Sequence, residues 1–60
     1  IDEPTLKRGQ HVTWGETSYR VESFEFQGER WNAVIVRPED YGVSGVRCWF
    51  VAVSQLAAVA

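Results

Sequence analysis

His11 and Cys48 are the one histidine and the one cysteine of this chain, and they offer the only classical nucleophile–base pair that its composition allows. Such a pair works only when the imidazole reaches the thiol, and nothing in the spacing brings the two together. Local phase argues against it as well. Cys48 alternates with Val46 and Phe50 and is expected as an inert core thiol, whereas His11 alternates away from Val12 and Trp14 and is expected as a solvated ring. The carboxylates offer no better geometry, since Glu22 and Glu25 sit three apart on a bent strand and Glu39 and Asp40 fall in a turn. Phosphate loop, dinucleotide fingerprint and metal-ligand spacing are all missing from the sequence. No catalytic residue, metal site or cofactor is therefore expected.

The aromatic residues carry more information. Phe24, Phe26 and Phe50 have no polar handle and are expected in the core. Trp14, Tyr19, Trp31, Tyr41 and Trp49 each carry an N–H or O–H that wants a partner, and they fall at strand ends or beside loops. Tyr41, beside Glu39 and Asp40, has the composition of a site that grips a cation on a ring face with an acid at the rim. The competing reading places most of these rings inside, because a small domain without staples needs them there. On the surface reading, Trp14, Tyr19, Trp31, Asp40, Tyr41 and Trp49 are the candidate partner-binding residues. Of Trp31, Tyr41 and Trp49, Tyr41 is expected to be the most exposed, since it stands in a loop before Gly42.

Composition sets the limits around these side chains. Sixty residues make one small domain, and a chain of that size buries only about 60% of its unfolded surface. With a single cysteine and a single histidine it can hold neither an internal disulfide nor a structural zinc, so three Trp, three Phe and two Tyr must supply the apolar payload. Six basic and eight acidic residues give a net charge of −2, which weighs against a dedicated polyphosphate binder. No apolar run approaches the roughly 20 residues of a membrane helix, and "IDEPTLKRG" lacks the layout of a signal peptide. A lone thiol suits a reducing interior, so a cytoplasmic location without membrane contact is the expectation. Starting at Ile1 with no methionine, the chain is expected to be a trimmed product or a segment of something longer.

The elements that must position the rings are short strands. Residues 1–5 read as a flexible end and residues 6–60 as one domain. "GQHVTW" gives a first strand and "GETS" a turn; "YRVESFEF" then puts Tyr19 and Val21 on one face but Phe24 and Phe26 on the other. A bulge near Glu22 and Ser23 reconciles the two phases. "QGER" is a tight hairpin and "WNAVIVR" a third strand ended by Pro38. "PEDYGVSG" is a turn-rich loop, "VRCWFV" a fourth strand, and "VSQL" a 3₁₀ turn with a buried Leu56 before a short fifth strand. A helix over "FVAVSQLAAVA" is the alternative for the C-terminal part, given its Ala, Leu and Gln content.

Five short strands, the second strongly bent, a single 3₁₀ turn and a closing strand resemble the Src-homology-3-like small barrels over residues 6–59. The resemblance implies an all-β, five-stranded barrel with the 3₁₀ turn before its last strand. Tudor, KOW-type, integrase C-terminal and type II dihydrofolate reductase domains share this plan, so the fold alone selects no activity. The resemblance and the aromatic set together imply a non-catalytic binding or assembly module for a protein or peptide partner, with self-association open to the same surface. A nucleic-acid-binding barrel is the alternative. A reductase comes third: "VRCWFVAVSQL" is similar to a type II dihydrofolate reductase stretch containing Val-Gln-Ile-Tyr, but Val46 is followed by Arg47, Cys48 and Trp49, so the glutamine, isoleucine and tyrosine of that family's pore are absent.

Overall fold

The computed structural model describes residues 5–59. Five antiparallel strands form one sheet: β1 (His11–Trp14), β2 (Thr17–Gln27), β3 (Arg30–Val36), β4 (Cys48–Ala52) and β5 (Ala57–Ala58). Their order is β4-β3-β2-β1-β5, and among the described residues no ladder joins β4 to β5, so the sheet is not closed. Two 3₁₀ turns, Pro38–Asp40 and Val53–Gln55, interrupt the strands, and the described residues contain no α-helix. The helical alternative for the C-terminal part is thus not adopted. The loose end expected over residues 1–5 lies, Thr5 apart, outside the described residues.

The phase slip in β2 is resolved by a bulge. Pairing with β3 runs Val21↔Ile35 and then Ser23↔Val34, which leaves Glu22 as the extra residue. One additional residue restores the alternation, so Tyr19, Val21, Phe24 and Phe26 all point to one face along the length of the strand. At the far end Gln27 pairs with Arg30 across a two-residue turn in which Gly28 and Glu29 take φ of 65° and 62°. Positive φ at both central residues matches the strand twist of a tight hairpin. Asn32 braces this turn, its buried Nδ2 donating to the carbonyls of Gln27 at 3.1 Å and Arg30 at 3.3 Å.

The core lies on the inner face and joins Leu6, Val12, Tyr19, Val21, Ala33, Ile35 and Val51, with Trp14, Phe24, Trp49, Val53 and Leu56 packed around it. Leu56, for which the sequence predicts burial, is half-buried, a wall of the core rather than its centre. The fourth strand departs further from expectation. Its ladder aligns Trp49 with Ile35 and Val51 with Ala33, which turns those two inward and sends Cys48 and Phe50 out. The sequence predicts both in the core; Cys48 is exposed and Phe50 is 50% exposed. Since "CWFVA" is apolar in both phases, hydropathy does not choose between them, and a one-residue change of phase exchanges the faces completely. Phe26, the other phenylalanine expected inside, keeps the inner phase but is 41% exposed near the hairpin end.

Candidate functional site

The six candidate residues come to rest in three places. Trp14, Tyr19 and Trp49 are brought together. Val12 pairs with Tyr19 and Trp14 with Thr17 in the β1–β2 ladder, so Trp14 and Tyr19 share the inner face; their ring centroids are 6.1 Å apart. From β4, Trp49 meets Tyr19 edge-on at 5.1 Å on the inner face of the sheet. Tyr19 is buried, and the two indoles flank it half-buried at the margin of the core. The guanidinium of Arg47, two residues before Trp49 and therefore in the same phase, lies 5.7 Å from the indole centroid. The result is a row of three contacting rings contributed by three strands, buried at Tyr19 and half-buried at the two indoles, with a cation beside Trp49.

Trp31 lies elsewhere. It pairs with Phe26 in the β2–β3 ladder, and the rings meet edge-on at 5.4 Å. Trp31 is half-buried, and its Nε1 is enclosed without an acceptor among the described residues.

Tyr41 and Asp40 occupy a third place. Tyr41 is half-buried rather than free in its loop, because the Arg20 guanidinium stacks 4.0 Å from its ring centroid. Arg20 also donates from Nε to the Gly9 carbonyl at 2.9 Å. Gly9 has φ +83°, and a Cβ there would stand 3.0 Å from the Tyr41 hydroxyl, so close approach and backbone conformation both ask for glycine. The ring face that sequence reasoning offered to an external cation is thus occupied by the protein's own arginine. Asp40 closes the first 3₁₀ turn through its backbone, its N–H donating to Arg37 and its carbonyl accepting from Val43.

The residues with chemistry to offer stay apart. His11, Arg20, Val36 and Cys48 form one row across four strands of the sheet, so His11 and Cys48 are three strand spacings, roughly 14 Å, from each other. No three His, Cys, Asp or Glu among the described residues gather as a metal site, and no pocket opens among them. Sequence reasoning missed Arg47 and Phe50. The i, i+2 relation to Trp49 was a usable signal for Arg47; for Phe50 there was none. Comparison with protein families, with curated proteins and with solved structures returns no match to this chain.

Proposed function

We propose that the protein is a non-catalytic binding module on the Src-homology-3-like plan, and that it takes an extended apolar segment of a protein or peptide across Trp14 and Trp49. The observation that carries this reading is the group Trp14, Tyr19 and Trp49, in which a buried ring holds two half-buried indoles in place at the core margin. Indoles fixed in this way lose little entropy on binding, which is why such rings concentrate affinity at interfaces. A surface on which no pocket opens among the described residues suits a chain laid across it better than an enclosed small molecule. Arg47 supplies a donor for a carbonyl or carboxylate on that chain. The strand order, the bulge-bent β2 and the 3₁₀ turn before β5 support the small-barrel plan.

Selection of a displayed peptide library on the folded chain, followed by calorimetric titration of the selected peptides, tests the proposal. Trp14→Ala and Trp49→Ala are each expected to weaken a selected peptide by about tenfold or more, in line with hot-spot aromatics, with little dependence on salt. Peptides indifferent to both substitutions would overturn it. So would an oligonucleotide that binds more tightly than any peptide and loses affinity steeply with salt, because that slope is the mark of phosphate contacts.

A further inference from the structure

The strand that carries Trp49 on its inner face, β4, has an unmet requirement of its own along its outer edge. On one side β4 pairs with β3 through all of Cys48–Ala52. On the other side it is the end of the sheet, and among the described residues no loop hydrogen bond reaches these five positions. Edge strands are ordinarily blunted by charge, proline, a bulge or shortness. The opposite edge, β5, is only two residues long. β4 has none of these devices: it reads Cys-Trp-Phe-Val-Ala, runs in unbroken register, and presents Phe50 outward at 50% exposure beside the half-buried Val34.

We infer that β4 pairs with β4 of a second copy, antiparallel about a two-fold axis at Phe50, to form a continuous sheet across a homodimer. The backbone donors and acceptors of the edge call for an extended strand, and the outward Phe50 calls for an apolar neighbour in the same phase. The chain's own β4 meets both requirements. Centring on Phe50 pairs all five residues, sets Phe50 against Phe50, and places Cys48 opposite Ala52 of the other copy. Shifting the axis to Trp49 or Val51 keeps the faces matched but leaves residues unpaired. Charge at the seam does not oppose this pairing: residues 48–52 contain no charged side chain, so the contact sets no like charges opposite each other although each chain carries a net charge of −2. The contact is isologous and closes at two. A contact of one short strand and one ring per copy belongs with weak, transient interfaces.

Sedimentation equilibrium of the full chain up to about 1 mM is expected to show a monomer–dimer equilibrium. Phe50→Lys, which sets like charges opposite each other across the axis, is expected to weaken it by about tenfold or more while the near-ultraviolet dichroism stays unchanged. Ala52→Cys supplies an independent reading of register, since mild oxidation is expected to give a dimer linked by two disulfides, each joining Cys48 of one copy to the thiol introduced at position 52 of the other. A monomer at every concentration overturns the inference. So does a dimer that tolerates Phe50→Lys, or oligomers that grow beyond two, which would assign the edge to a different strand. Failure of Ala52→Cys to cross-link while dimers persist overturns the proposed register and with it the axis at Phe50. The variants used here, at Phe50 and Ala52, lie in the outward phase of β4 and leave Trp14 and Trp49 unaltered, so loss of the dimer and loss of peptide binding are read separately.

Discussion

The two ends of β2 carry the same kind of side chain on the same face and end in different environments. Before the bulge, Tyr19 and Val21 are 8% and 0% exposed; beyond it, Phe24 is half-buried and Phe26 is 41% exposed. What differs is the material opposite. Tyr19 is covered from two directions, by Trp14 of β1 and Trp49 of β4, whereas Phe26 has Trp31 as its one ring neighbour at the hairpin end. Alternation along a strand therefore decides which face a residue takes, while depth depends on what the rest of the chain lays over it. The first is local information and the second is not.

Deleting Glu22 tests the comparison at the bulge that separates the two ends. Removing the extra residue leaves Tyr19, Val21, Phe24 and Phe26 in strict alternation on one face and the pairing with β3 continuous, so the inner side chains are kept and only the bend is lost. We expect cooperative unfolding to persist with a clearly lowered thermal midpoint, the drop measuring what the bend contributes. A midpoint equal to that of the parent chain would mean that the sheet holds its arrangement without the bulge.

Tyr19→Ala sharpens it from the buried side. Removing a ring that touches both indoles should cost about 3–5 kcal/mol, the range for a large aromatic truncated in a core. Chemical denaturation with unchanged slope would read it; a loss well below this range would show that the neighbouring rings close over the gap. On the exposed side Phe26→Ser should cost at most about 1 kcal/mol, consistent with one edge-to-face contact and partial burial. A loss as large as that of Tyr19→Ala would abolish the distinction between the two ends.

The smallest effect is expected at the hairpin turn and has the opposite sign. Glu29 holds φ 62° without being glycine, so Glu29→Gly should raise stability by about 0.5 kcal/mol once the strain relieved is set against the entropy glycine adds to the unfolded chain. A lower denaturation midpoint would show that the Glu29 side chain holds the turn in a way its backbone does not reveal.

Five strands, both turns before β3 and β5, and the position of the bulge were legible in the sequence, because each left a local mark. Tyr19 and Val21 against Phe24 and Phe26 announced an extra residue; Pro38 announced the end of a strand. The phase of β4 left none. Val46, Cys48 and Phe50 are as apolar as Trp49 and Val51, and the choice was made by Ile35 and Ala33 on the neighbouring strand. The candidate site was legible to the same degree. Trp14, Tyr19 and Trp49 meet, but with Tyr19 in the core rather than on the surface where it was expected, and Tyr41 is half-buried because Arg20 and Gly9, which pattern reading along the chain does not connect to it, close over it.

The pairing of β5 with β1 sets an order of events in folding. β1–β2, β2–β3 and β3–β4 each join neighbours in the chain, the first two across two-residue turns and the third across residues 37–47, whereas Val12↔Ala58 and Thr13↔Ala57 join strands that are first and last. The entropy of closing that long loop is met by a two-residue ladder and one further bond, from the Val59 N–H to the His11 carbonyl. Zipping should therefore run from the central hairpins outward and finish at the C-terminal arm. In the native state the same arm should be the first to detach, so its amides are expected to exchange with solvent through a local opening while those of β2 and β3 exchange only on unfolding of the whole molecule.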